Sequence, residues 1–383
     1  MNVGILYPSS KAHPEVGAEF LNGMKAYLKK QALNNQIKFV SESIGIGGSE
    51  KEVYQKVEKM LLIDDVDVLV AYIDQKVLPV LTPLIQVSGK MVLIVNPGAN
   101  YPLNWIPQNN VCTLTLQHAY LCWLTGAMAV RETNNTAVYT STYYDCGYLH
   151  GAAMVKHFMK HKGTIMFNFI NNTAYDESFD VTPLIDFLKG NIDVNHLLCI
   201  YDDLPAALLY EKLNEFSQDK DLHLFVSPMM LGDKALAGTE KGFGFSVKGY
   251  LPWKHTLENS SNKAFVDHYK ELYAKEAGIF TLLGWETALI LEQVFIHCNN
   301  KYNDGAGITG HLKSISFESP RGSMKIDEST HHFVAPAIRC SMEKNSTFLK
   351  EEIVGHNVAD WMGFVNEPVS GVVSGWTNTY LCY

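Results

Sequence analysis

What this sequence lacks narrows its function first. No GxSxG elbow, HExxH pair or Walker A run occurs in it, so the common signatures of serine hydrolases, zinc peptidases and P-loop enzymes are missing. Basic charge is scarce: 31 Lys and Arg stand against 40 Asp and Glu, a net −9. That balance disfavours nucleic acid and anionic membrane surfaces as partners. Long apolar runs are missing too; stretches such as Met91–Val95 have strand length, and no transmembrane segment is expected. The seven cysteines are scattered, with no CxxC or Cys/His pair at zinc-finger spacing, and most sit in apolar contexts that suit inert buried thiols. The odd count leaves at least one unpaired within the chain.

Three weaker signals also have plain structural readings. Gly45-x-Gly47-Gly48 lacks a third glycine at Rossmann spacing and follows the second strand, so it reads as a turn. His331-His332 lies in a strand and Asp64-Asp65 and Asp202-Asp203 at element ends, where a helix N-terminus favours an acid anyway. Neither cofactor nor metal is expected. Asn134, Asn171, Asn259 and Asn345 begin N-glycosylation patterns, which matter only in a eukaryotic secretory protein.

What is present is a globular composition, 47% hydrophobic and 19% charged, in 383 residues, enough for more than one domain. Val66–Asn100 is its clearest stretch. Val66–Ile73 and Met91–Val95 are short β-branched runs, and between them Val77, Val80, Leu81, Leu84, Ile85 and Val87 recur at helical steps. The spacing predicts a βαβ unit with parallel strands and a right-handed crossover. Ligands in open α/β sheets sit beyond the carboxyl ends of the strands, which places Asp74-Gln75 and Gly98-Ala99-Asn100 on the wall of a binding cleft.

Strands are expected at Asn2–Tyr7, Ile37–Ser43 and Val111–Thr115, with helices at Val16–Lys30 and from Ser49 or Glu50. After a break near His118 the alternation repeats, from a helix at Leu121–Arg131 to a strand at Leu222–Val226. Two parallel α/β series of similar length predict two lobes. Further on, Phe245–Leu251 reads as extended, Asn262–Ala277 and Thr281–Cys298 as helices, and Met324–Asp327 with His332–Cys340 as a β pair. Trp361–Tyr383 shows no helical period. Polar and aromatic residues gather at expected strand ends: Ser9, Tyr72, Asp74, Gln75, Gly98, Ala99 and Asn100 in the first series, Tyr144, Asp145, Tyr175, Asp202 and Met229 in the second, with Tyr250, Trp253 and Trp285 near the crossings. Aromatic walls with a few placed polar groups suit a small-molecule site.

The order and spacing of VGILYPSS, VGAEFLNGMKAYL, VDVLVAYID, IVNPGANYP, YYDCGY, FVSPMMLG, LLGWETALIL and SPRGSMKIDESTHH make the chain resemble the type I periplasmic solute-binding proteins. Within these it is similar to the branched-chain amino-acid and amide-binding receptors of ABC transporters, to about Lys350. The resemblance implies two Rossmann-like lobes with parallel sheets, joined by a three-crossing hinge. The lobes would be 1–118 with 252–326 and 119–248 with 331–383, with crossings near 117–121, 247–252 and 325–332. A solute would sit in the cleft and draw the lobes closed. In the amino-acid receptors a hydroxyl residue after strand 3 and the backbone after strand 4 hold the carboxylate; these positions fall at about Asp74, or Gln75 one residue on, and at Gly98–Asn100. An acid that pairs the ammonium is replaced by Met229 in the turn Ser227-Pro228-Met229. Asp74 would repel a carboxylate and Met229 cannot pair an ammonium. An amide, amine, polyol or aromatic-bearing metabolite suits the site better than an α-amino acid in the usual pose.

The expected function is therefore a non-enzymatic solute receptor, periplasmic or lipid-anchored, delivering a small-molecule ligand to a membrane ABC permease, with a homodimer as a further option. Because the first strand begins at once, Met1 is either a natural start or replaces a removed export segment. The rivals are a ligand-sensing regulator or receptor domain of the same fold, and an α/β enzyme using Asp74, Asp145 or Asp202.

Overall fold

The computed structural model describes the chain except residues 133–134, 174, 177, 218–219, 238–241, 356, 368–373 and 376–383. Asn134, Cys382 and most of the tail after Glu367 therefore lie outside the described residues.

In chain order, the elements begin with β1 (Asn2–Tyr7), α1 (Val16–Lys30), β2 (Lys38–Ser43), α2 (Glu50–Glu58, prolonged by a π-helical turn over Lys59–Ile63), β3 (Val68–Ala71), α3 (Leu78–Ser88), β4 (Met91–Asn96) and β5 (Val111–Thr115). A second series follows: α4 (His118–Glu132), β6 (Thr136–Thr142), α5 (Leu149–Lys160), β7 (Thr164–Asn171), α6 (Thr182–Gly190), β8 (His196–Ile200), α7 (Asp203–Phe216), β9 (His223–Val226) and β10 (Ser246–Leu251). Then come α8 (Ser260–Tyr273), α9 (Ile279–Cys298), α10 (Gly305–Lys313), β11 (Phe317–Ser319), β12 (Gly322–Ile326), β13 (His332–Val334), β14 (Ala337–Met342), β15 (Lys350–Val354) and α11 (Val358–Val365).

The chain divides into two units, 1–116 with 253–336, and 117–252 with 337–375. The first contains the sheet β11-β12-β13-β5-β4-β3-β1-β2, parallel from β2 to β13 and antiparallel beyond. The second contains β15-β14-β10-β9-β8-β6-β7, parallel from β7 to β10. Two points differ from the sequence expectation. The stretch His332–Cys340 is two strands, and the first of them pairs with β5. Residues 331–336 thus belong to the first unit, and the third passage falls at 336–337, later than 325–332.

Central strands β3 and β4 are buried at every position, as expected of parallel strands covered on both faces. Alternate residues serve two cores. Val3, Ile5, Val70, Leu93 and Val95 pack with Phe20 and Met24 of α1, Phe265 of α8 and Leu283 of α9. Leu6, Leu69, Ala71, Val92 and Ile94 pack with Val53 and Val57 of α2 and Leu81 and Ile85 of α3.

Helices α1 and α9 touch backbone to backbone. A Cβ on Gly23 would lie 2.1 Å from the Thr281 carbonyl oxygen, and one on Gly284 2.0 Å from that of Phe20. Helix α9 is long and apolar enough to cross a membrane, contrary to the expectation of strand-length runs only, but most of it is buried within the unit. Its single charged core residue, Glu286, takes Nε and Nη2 of Arg321 at 2.8 and 2.7 Å and also accepts from Ser319 Oγ. Nη1 of Arg321 donates to the Thr115 carbonyl at 3.0 Å. This ion pair ties α9 to the β11–β12 turn and the end of β5.

In the second unit, Cys122, Met128 and Ala129 of α4 pack with Met154 and Phe158 of α5 and with Leu198, Ile200 and Phe225 of the sheet. The tail does contain a helix. Trp361 and Phe364 of α11 meet Tyr120 of α4, and Glu367 accepts from Trp123 Nε1 at 2.8 Å.

Candidate functional site

In the first unit, β3 and β4 end side by side and their following residues interlock. Asn96, the last residue of β4, donates through Nδ2 to the Ile73 carbonyl at 2.9 Å and accepts from the Gly98 N–H at 2.8 Å. Gly98 has φ +78°, a left-handed value that suits glycine. This turn delivers buried Ala99 and Asn100 beside β3. Asn100 Nδ2 donates to Asp74 Oδ2 at 2.9 Å, while Asp74 Oδ1 accepts from the Lys76 N–H at 2.9 Å and caps a short 3-10 turn, Gln75–Val77. Both Asp74 oxygens are thus acceptors in use.

Gln75, the alternative contact, turns away from Asp74. Its Nε2 donates to Thr113 Oγ1 at 2.8 Å and lies 3.2 Å from His332 Nε2. Ser9 is exposed, with its N–H on the Gly45 carbonyl at 2.8 Å. Tyr72 is fully buried against Phe20, its hydroxyl has no hydrogen-bond partner among the described residues, and burial pushes the phenol far above its usual range.

The second unit gathers its polar residues at the ends of β6 and β8. Thr142 Oγ1 donates to Asp145 Oδ2 at 2.7 Å and accepts from the Asp145 N–H at 3.0 Å. The Asp202 N–H also donates to Asp145 Oδ2, at 3.0 Å, and Asp202 Oδ1 caps α7 by accepting from the Asp203 N–H. His150, in the first turn of α5, sets Nε2 3.2 Å from the Asp145 carbonyl, so Nε2 carries the hydrogen and Nδ1 is a buried acceptor with no partner among the described residues. Desolvation pushes His150 down to about 4. Burial raises the Tyr175 phenol to about 12. Tyr144 is half-buried, edge-on to Tyr143. Met229 is buried in the 3-10 turn Pro228–Leu231 and brings no charge to this end of the sheet.

Thus Asp74, Gly98, Ala99 and Asn100 form one cluster, and Asp145 and Asp202 another. Thr142 and His150 belong to the second cluster and were not picked out from sequence; the only signal was a polar residue at each end of the YYDCGY loop. The two tryptophans fall elsewhere. Trp253 donates Nε1 to Asn262 Oδ1 at 2.7 Å within the core. Trp285 is wedged edge-on to Tyr27, with ring centroids 5.0 Å apart, and against Phe265 at 4.9 Å. The expectation that they line a ligand gives way to packing, because α8 covers Trp253 while α1 and α8 together close over Trp285 on α9.

Two α/β units with polar residues at the carboxyl ends of parallel strands define a solute-binding architecture. The profile of the periplasmic binding protein family matches residues 1–345, and the chain belongs to that family. The family is non-enzymatic, which removes the enzyme alternative, and it implies an extracytoplasmic location and an ABC transporter partner.

Solved structures of similar fold include an ABC transporter solute-binding protein from Rhodopseudomonas palustris in complex with benzoate, at TM-score 0.70 and 17% identity over 92% of this chain and 95% of that one. The branched-chain amino acid transporter substrate binding protein LivJ from Streptococcus pneumoniae, in complex with isoleucine, matches at 0.69 and 15% over 93% and 99%. An ABC transporter substrate-binding protein from Sphaerobacter thermophilus matches at 0.74 and 11% over 93% and 97%. No curated protein matches the chain by sequence.

Proposed function

We propose that this receptor captures a small polar metabolite that presents an amide or amine to the first unit, and hands it to an ABC permease for uptake. The supporting observation is the pairing of Asp74 with Asn100 at the ends of β3 and β4. A solute carboxylate at Asp74 would set acceptor against acceptor and bury like charge. A donor group on the solute would instead find a carboxylate held in place by Asn100 and the Lys76 N–H. In this reading Ser9 and the Gly98–Asn100 backbone frame the same solute group. In the second unit Asp145, Asp202, Tyr144 and Met229 form the matching strand-end group, and Met229 favours an apolar portion of a solute there. Trp253 and Trp285 take no part.

The test is calorimetric titration of the purified chain with acetamide-like amides, amines, isoleucine and benzoate. An amide or amine should bind, and Asp74→Ala should weaken it at least tenfold. Micromolar binding of isoleucine or benzoate that is indifferent to Asp74→Ala would overturn the reading.

A further inference from the structure

The first unit contains a cavity of about 190 Å³ that the solute reading does not use. Its walls come from the start of α3 (Leu78, Pro79, Thr82), from the loop between β4 and β5 that carries Trp105 and Gln108, and from β5 with β13. Among the described residues, no Asp, Glu, Lys or Arg lines it. His332 keeps Nδ1 on the Thr330 carbonyl at 2.9 Å, which leaves Nε2 as the acceptor facing Gln75, and desolvation lowers its pKa to about 4. His331 holds Nδ1 3.1 Å from both the Gln108 and Val111 carbonyls.

Two observations point to an occupant. First, the wall is flat and aromatic on one side. Trp105 stacks on Tyr101 with ring centroids 6.1 Å apart and meets His332 edge-on at 5.0 Å, and Pro79, Pro102 and Pro107 add further apolar surface. A dry cavity of roughly 150 Å³ already suffices for benzene. Second, Gln108 donates Nε2 to Thr82 Oγ1 at 2.7 Å, while its Oε1 is buried with no partner among the described residues. An unsatisfied buried acceptor costs stability until a donor reaches it, and an uncharged wall cannot repay the desolvation of an ion.

We propose that this cavity is a second small-molecule site, distinct from the cluster around Asp74, that takes a neutral monocyclic aromatic compound bearing a hydrogen-bond donor, of the phenol class. The Gln108 amide turns its buried Oε1 to meet the donor, and the ring lies against Trp105.

The probe is 4-bromophenol. Crystals of the full chain soaked in it should show an anomalous bromine peak between Trp105 and the β5–β13 wall. In solution, titration should give saturable binding that Gln108→Leu weakens at least tenfold and Trp105→Ala weakens further, with melting temperatures showing that both variants fold. Benzoate, of equal ring size but charged, should give no density there. A bromine peak only at other places, occupancy in soaked crystals without binding in solution, or affinity unmoved by both folded variants would each overturn the proposal.

Discussion

Asn100 Nδ2 holds Asp74 Oδ2 at 2.9 Å and thereby joins the ends of two neighbouring parallel strands. The same carboxylate caps the turn that follows β3, so one side chain serves both the fold and the candidate site. The two roles separate by substitution. Asp74→Asn keeps an oxygen to accept from the Lys76 N–H and should unfold near the parent, whereas Asp74→Ala should lose about 1 kcal/mol with the cap. Both should weaken solute binding at least tenfold. Urea denaturation alongside titration calorimetry checks this; binding retained by either variant would place the solute elsewhere.

The Glu286–Arg321 pair is fully buried and bidentate. Removing one partner leaves the other charged and desolvated, at a cost of roughly 3–5 kcal/mol. Arg321→Met alone should therefore be strongly destabilised, and Glu286→Leu combined with Arg321→Met should recover much of the loss. A double-mutant cycle in urea measures the coupling. Simple additivity of the two single losses would show that the pair does not act as a unit.

Gly23 and Gly284 let α1 and α9 touch. Alanine at either position places a methyl group against a carbonyl oxygen of the facing helix. Gly284→Ala should push the helices apart and cost about 1–3 kcal/mol as an overpacked contact, despite alanine's better helix propensity. Gly310, in α10, has open space around it, and Gly310→Ala should be neutral or stabilising. Melting temperatures that fail to separate the two variants would contradict the close contact.

Three buried histidines set an acid limit on stability. Desolvation, with His223 beside it in the case of His196, lowers His150, His196 and His332 from 6.5 to about 4. Between those values the unfolded chain holds more protons, so stability rises with pH. Their contribution, up to ~3 kcal/mol each, is complete above about 6.5 and is lost as pH falls toward 4. Urea midpoints between pH 7.5 and 4 should fall in this window, and His332→Gln should flatten the dependence. A midpoint independent of pH across the window would contradict neutral burial.

Much of the fold was legible because hydrophobic periodicity is a local property. The strands Asn2–Tyr7 and Val111–Thr115 and the helix Val16–Lys30 match the sequence expectation residue for residue; the other expected elements agree within a few positions except His332–Cys340, and the short edge strands β11 and β15 carry no clear mark in the sequence. Helix α10 carries little helical signal in the sequence because three glycines in GAGITGHLK dilute it. Helix α11 is hidden in the sequence because its apolar stripe has meaning only against Tyr120 on α4. In the candidate site, the ends of β3, β4, β6 and β8 were readable, since a polar residue after a buried strand is a local mark.

Local patterning specifies the alternation of strands and helices, the division into two parallel α/β series, and Asp74, Asn100, Asp145 and Asp202 as strand-end groups. Tertiary structure alone decided which residues meet. Gln75 reaches Thr113, 38 positions on, and His332, 257 positions on, while Trp285 is committed to Tyr27 and Phe265. Those pairings were not readable because periodicity records which face of an element is buried, while the group on the other side is set by the register and packing of elements remote in the chain.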